Sequence, residues 1–311
     1  MNKKQQKEKS IDEMDKLKKE IKETIQEIEK ERGRRCFILW KNITPRLVEE
    51  VFEELRNTFE DANGELDVIV HSSGGDIDAA YNLACLFQKF GNKKLTFIVP
   101  RWAKSASTLL VCAGDEILMS PIAELGPLDP QITQINPLEE RFEQFSPLHI
   151  QTTLDLIRSE FENGNKELAE GLLKRLQFPL TLGSFIKSHE IAEQYLVRLL
   201  KSRMSKTGKL SSSPEEIAKR LTREYADHGF CINIDEARKI GLNTQELKGK
   251  ILELVWKLFK LNKEKDRMIK EKEEKEIEKT LKNLPPEILK KIIQEKEQET
   301  PKEGGVKDDE Q

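Results

Sequence analysis

The sequence predicts an α/β fold: a mostly parallel sheet covered by helices, with charged helical extensions at both ends. Three observations predict it. First, the apolar runs CFILW (Cys36–Trp40), LDVIVH (Leu66–His71), LTFIVP (Leu95–Pro100) and EILM (Glu116–Met119) are continuous rather than alternating, as in strands buried on both faces. Second, helical segments alternate with these runs, which is the pattern of a sheet built from strand–helix–strand units. Third, the Lys- and Glu-rich stretches are confined to the two ends of the chain, so the core lies between them.

Taken in order, Ile11 to Glu31 carries Met14, Leu17, Ile21, Ile25 and Ile28 at three- and four-residue steps. That is a narrow apolar stripe on a charged helix, suited either to its own domain or to a copy of the same helix. After the first strand, Thr44 caps a helix that opens at Pro45 and runs to Phe59. The second strand ends in the turn Ser72-Ser73-Gly74-Gly75, and Asp76 to Phe90 reads as a helix. A small-residue helix, about Ser105 to Ala113, separates the third and fourth strands. Residues Pro147 to Ser205 read as helices with their main break near Phe178-Pro179. Ser213 caps a helix at Pro214, GFCIN (Gly229–Asn233) reads as a short strand, and Ile234 to Leu242 as a helix stopped by Gly241. A long charged helix follows from Thr244 until Pro285-Pro286 breaks it. The expected organisation is a charged amphipathic helix over 1–33, one large domain over 34–243, the long helix over 244–284, and a short helix with a disordered tail over 285–311.

Composition narrows the function classes. A formal net charge of -3, without a basic stripe interleaved with aromatics, argues against a nucleic-acid partner. Cys36, Cys85, Cys112 and Cys231 form no CxxC motif, and the first three sit in apolar stretches as small buried hydrophobes. Reduced thiols, an amino terminus without the apolar core of a signal peptide, and the lack of any run of about twenty apolar residues lead to the expectation of a cytoplasmic protein without a membrane span. No HExxH, Asp-rich loop or Walker motif occurs, so neither metal nor cofactor is expected.

Two segments place a small-residue turn after a buried strand and before a helix, where open α/β sheets put their chemistry. In HSSGGDIDAAYNLA, Gly74 and Gly75 let backbone N–H groups face a cleft with no side chain in the way, with positive potential from the helix start behind them. In RWAKSASTLLVCAGDEILM, Ser105 opens a helix too small-sided for a surface helix. It is either an N-cap or a nucleophile.

Together these segments resemble the paired motifs of ClpP and signal-peptide-peptidase (SppA) proteins, and most closely the serine dehydrogenase proteinase family, over about Asp67 to Ile132 with a weaker echo at His228 to Leu242. The resemblance implies a ClpP/crotonase-like core of repeated β-β-α units in the 34–243 domain, a peptide or unfolded-protein substrate and a homo-oligomer. By position, it assigns Ser105 as nucleophile and Gly75 and the Ala106 N–H as oxyanion-hole donors. Gly74 and His71 then border the substrate, with strand-end packing as the other reading of His71. Ser107 stands where the family usually has glycine, which makes it a minor alternative nucleophile.

The serine needs a base. About twenty-five residues after Ser105, where ClpP has histidine, this chain has Leu128-Asp129-Pro130, so a ClpP-type triad is not expected. Lys187 is the first choice, followed by Lys166, Lys174, His149, His189 and His228, with Asp129 as a group that orients the base. Lys104 adjoins Ser105, but neighbouring side chains often point apart. Besides a serine peptidase, the residues admit a non-catalytic scaffold of the same fold, or a crotonase-type acyl-CoA enzyme in which Ser105 is incidental.

Overall fold

The computed structural model describes residues 3–59, 64–129, 132–136, 141–145, 147–175, 182–225, 227 and 229–282. Two compact units partition the chain, one from residues 24–257 and one from residues 1–23 with 258–311. In chain order the elements are α1 (Lys3–Arg32), β1 (Arg35–Leu39), α2 (Pro45–Phe59), β2 (Glu65–Val70), α3 (Ile77–Phe90), β3 (Lys94–Val99), β4 (Trp102–Ala103), α4 (Ala106–Val111), β5 (Glu116–Met119) and β6 (Glu124–Leu125). They continue with β7 (Ile132–Asn136), β8 (Arg141–Phe145), α5 (Pro147–Glu162), α6 (Lys166–Arg175), α7 (Leu182–Ser202), a 3-10 turn (Met204–Thr207), α8 (Pro214–Arg223), α9 (Ile234–Ile240), β9 (Thr244–Glu246) and α10 (Gly249–Lys282).

The larger unit is an α/β layer built on a five-stranded, all-parallel sheet of order β1-β2-β3-β5-β9. Each strand joins the sheet beside its predecessor. Right-handed crossovers stepping always one way put the connecting helices on the same face. Phe37, Val68, Phe97 and Ile117 lie in register across that face and share one core with Leu83 and Phe87 of α3 and Leu109 of α4. Burying each such side chain contributes about 1.5–3 kcal/mol. β2 and β3 are buried on both faces after their first residue, which explains their unbroken apolar sequences. On the other face Asp67 is fully buried and is held by Arg32, at the end of α1, through Nε–Oδ2 at 2.6 Å. The ends of the helices follow their capping chemistry: the Leu47 N–H donates to the Thr44 hydroxyl, Asp76 caps α3, Ser213 and Glu216 close a capping box on α8, and Gly241 ends α9 at φ 117.

Several expectations needed correction. GFCIN forms no strand; only Ile232 bridges to Leu125. The long helix starts at Gly249, not Thr244, because Thr244–Glu246 pairs with β5 as an edge strand. Cys85 is exposed, whereas Cys36 and Cys112 are buried; burial pushes the Cys112 thiol up to about 12. Within the α1 stripe Leu17 and Ile28 are covered by the chain itself. Among the described residues of the smaller unit the buried side chains are Leu17, Leu258, Phe259 and Asn262. The break at Phe178-Pro179 and everything after Lys282 lie outside the described residues. Among the described residues no helix is long and apolar enough to cross a membrane, and no group of side chains is arranged to hold a metal.

One ion pair ties the late helices to the sheet. Asp115, in the turn between α4 and β5, accepts two bonds from Arg203, Nη2–Oδ2 at 2.6 Å and Nε–Oδ1 at 3.1 Å, and a third from the Leu95 N–H at 2.8 Å. Burial alone would raise the Asp115 pKa, but the Arg203 hydrogen bonds and the Leu95 amide outweigh it and hold the carboxyl below its ordinary value. A depressed folded-state pKa stabilises the protein above the unfolded pKa, and that contribution is lost as pH falls through the folded value. Arg203→Met strands a buried carboxylate, with an expected cost of about 3–5 kcal/mol at neutral pH. Urea unfolding checks this: the gap between variant and wild type should narrow as pH drops below the ordinary carboxylate range, and a gap independent of pH contradicts the pairing.

Candidate active site

Beyond the carboxyl ends of the main strands the chain builds a second, smaller set of pairings. β4 pairs with β6 in parallel, Ser72 bridges to Ala103, and Ile232 bridges to Leu125. The Ser72 N–H donates to the Trp102 carbonyl at 3.0 Å, and the Lys104 N–H donates back to the Ser72 carbonyl at 3.1 Å. These bonds bring the glycine bend and the serine turn together, although thirty residues of sequence separate them.

Contact between the two is direct. A Cβ on Gly74 would lie 2.8 Å from both the Lys104 carbonyl oxygen and the Ser105 Cβ, and 3.3 Å from the Ala106 nitrogen. Gly74 and Gly75 adopt φ values of 112° and 138°, and Gly75 backs onto the Ile43 carbonyl. Only glycine fits both positions. The Ile43 N–H donates to the Gly74 carbonyl at 2.8 Å, and the Asp76 N–H to the Ile43 carbonyl at 2.9 Å, so the bend is fixed on either side of Gly75. The N–H groups of Gly75 and Ala106 donate to no other described residue.

Ser105 has φ 51° and ψ -126°, and among the described residues it is the one non-glycine with positive φ. That conformation is costly for a residue with a side chain, and such strain collects where geometry serves chemistry. The hydroxyl makes no capping bond to α4, which removes the simple N-cap role, and the side chain is half-buried. A strained serine on a strand-to-helix turn has the form of a nucleophile elbow. Ser107 differs: its Oγ is fully buried with no hydrogen-bond partner, away from any solvent-facing substrate.

Supporting residues surround the turn, and of these the sequence did not single out Thr108, Arg101 and Glu124. The Thr108 hydroxyl lies 2.7 Å from the Ala103 carbonyl and accepts the Gly126 N–H at 3.0 Å, locking the elbow to the segment after β6. Its only sequence signal was a hydroxyl among buried apolar residues. Lys104 turns to Glu124, Nζ–Oε2 at 3.0 Å, and to the Phe230 carbonyl at 3.4 Å. Arg101 pairs with the other Glu124 oxygen. Burial alone would raise the Glu124 pKa; the bonds from Arg101 and Lys104 prevail and lower it. His71 sits between two indoles, 4.3 Å from the Trp40 ring centroid and 5.4 Å from that of Trp102.

Of the base candidates, His189 on α7 meets Asp129, Nε2 to Oδ1 at 3.2 Å, with only 12% and 7% of the two side chains exposed. Asp129 lies three residues beyond Gly126, whose Cβ position is 3.3 Å from the Ser105 nitrogen. The Leu128 N–H, donating to the Leu221 carbonyl of α8 at 2.8 Å, holds the Asp129 loop. Lys187, two residues before His189, is exposed. Lys174 pairs with Glu170 on the surface at 3.7 Å, and Lys166 lies over the Phe161 ring at 5.6 Å. His149 belongs to α5, but its side chain and the whole of His228 lie outside the described residues. A separate cavity of about 290 Å³ between α7 and α8, lined by Glu190, Glu193, Val197, Arg198 and Arg223, contains none of these groups.

Comparisons with known proteins find several similarities. Two uncharacterised proteins of Methanocaldococcus jannaschii are similar to the chain: one is 27% identical over 232 residues, 70% of this chain and 69% of the relative, and the other 25% identical over 226 residues, 73% and 68%. Among solved structures, a mutant of the 1510-N membrane-bound stomatin-specific protease aligns with a TM-score of 0.42 at 14% identity, over 69% of this chain and 79% of that one. ClpP1 from Listeria monocytogenes aligns with a TM-score of 0.39 at 15% identity, over 69% and 92%. Residues 1–143, the stretch that holds both the glycine bend and the serine turn, match the family of ClpP-like SDH-type serine proteinases.

Proposed function

We propose that the protein is a serine peptidase that cleaves peptide bonds of unfolded or extended chains through an acyl-enzyme at Ser105. The observation that carries this reading is the juxtaposition of a strained, uncapped serine with a double-glycine bend and two N–H groups that donate to no other described residue. The Ser105 oxygen attacks the scissile carbonyl while a base takes its proton. The carbonyl oxygen becomes an oxyanion facing the Gly75 and Ala106 N–H groups, where preorganised donors stabilise the transition state. As the C–N bond breaks, the base returns the proton to the departing amine, and water then releases the acyl group by the same steps in reverse order.

His189 is the base best supported by geometry. Asp129 engages its Nε2, and a carboxylate so placed orients an imidazole, as a nucleophile–base pair requires. Lys187, the competing candidate, is exposed, whereas a lysine base works by losing its charge in a desolvated setting. Family resemblance supports a homo-oligomer as the working form.

Labelling by a fluorophosphonate probe tests the nucleophile: wild type should label and Ser105→Ala should not, and an alanine variant that still labels refutes the assignment. His189→Ala should slow labelling and peptide cleavage by about 10²–10⁴-fold, the usual contribution of a general base, with Lys187→Ala within about twofold of wild type. The reverse ranking makes Lys187 the base. Gly74→Ala should abolish labelling, because the new methyl meets the Lys104 carbonyl and Ser105 at 2.8 Å. A labelled, stable Gly74→Ala protein contradicts the close approach.

A further inference from the structure

We propose that His71 is a positioning residue: in ring contact with both Trp40 and Trp102, it clamps the glycine bend onto the serine turn. The catalytic meaning of this clamp rests on the serine-peptidase reading above; the clamp itself does not.

Two indoles contact the imidazole. The Trp40 ring centroid lies at 4.3 Å with a 43° tilt, and that of Trp102 at 5.4 Å and 24°, close to parallel. The stack continues, because the Arg101 guanidinium approaches the Trp102 ring at 5.3 Å. Arg101 then pairs with Glu124 of β6, and Glu124 with Lys104, the residue before Ser105. The anchors of this chain are therefore the end of β1, the residue before the Ser72–Gly75 bend, β4, β6 and the elbow. Every segment that supplies a backbone group to the candidate site carries one anchor.

Such a clamp answers a specific weakness. Glycines are the residues with the most backbone freedom, and Gly74 and Gly75 must hold an N–H within hydrogen-bond reach of a transient oxyanion. The ties between Ser72, Trp102 and Lys104 set the pairing of the bend with β4, and Ile43 brackets the glycines from the other side. Trp40 leads into the Ile43 segment, so the indole–imidazole–indole contact joins the two brackets through side chains. A misplacement of about 1 Å at such a site costs about 10²-fold in rate.

The test uses the full chain with two readouts. Amide hydrogen exchange over residues 72–76 and 104–107 reports the clamp, and the rate of fluorophosphonate labelling reports the site. His71→Ala should speed exchange in both segments together by about tenfold while the central strands stay protected, and slow labelling by about 10²-fold. His71→Phe, which keeps a ring in the stack, should match wild type within about twofold in both readouts. Trp102→Ala, at a partly exposed position, should reproduce the His71→Ala pattern and serves if that variant does not fold. Unchanged exchange in both alanine variants overturns the proposal, as does a folded His71→Phe protein as impaired as His71→Ala. If wild type fails to label, the nucleophile assignment fails, and the exchange measurements still decide the clamp.

Discussion

The candidate site depends on how near two backbones come to one another. At Gly74 the chain passes so close to the Lys104–Ala106 turn that no Cβ has room, and this proximity sets the bend and the serine opposite each other. The parallel sheet supplies the frame, because β2 and β3 end side by side and release their chains in the same direction. The small second layer of pairings, Ser72 with Ala103, β4 with β6, and Leu125 with Ile232, converts that parallel exit into a fixed cleft wall. The positive φ of Ser105 is the strain that remains, and the bonds of Thr108 to the neighbouring backbone oppose its relaxation.

The parts of this structure that were legible in the sequence are those written in burial and capping. Cys36–Trp40, Leu66–His71, Leu95–Pro100 and Glu116–Met119 were readable as strands because covering on both faces demands unbroken apolar residues. Thr44, Ser213 and Gly241 announced helix ends because the unpaired amides and carbonyls there need those residue types. β9 was missed because Thr244–Glu246 is a three-residue polar edge strand whose pairing comes from β5, with no pattern of its own. β4 and β6, at two residues each, are too short to carry a period. GFCIN was overvalued for the opposite reason: its apolar residues serve a single bridge and an exposed Phe230.

The candidate site divides in the same way. The glycine bend and Ser105 could be found from small residues at two strand ends, but neither the backbone strain at Ser105 nor the burial of the Ser107 hydroxyl has a sequence signature. The meeting of His189 with Asp129 depends on where α7 packs, sixty residues along the chain, which no local rule reveals. His71 was expected at the cleft; that two indoles contact its ring emerges only when three strand ends are seen side by side.

The position of α7 late in the chain has a consequence for biosynthesis. The sheet edge, the glycine bend and the serine turn all emerge from the ribosome before the helix that bears His189. At typical synthesis rates the gap is roughly 4–16 seconds. In that interval a nascent chain carries Ser105 and the glycine bend without His189, the partner of Asp129, and without Ile232, the bridge to Leu125.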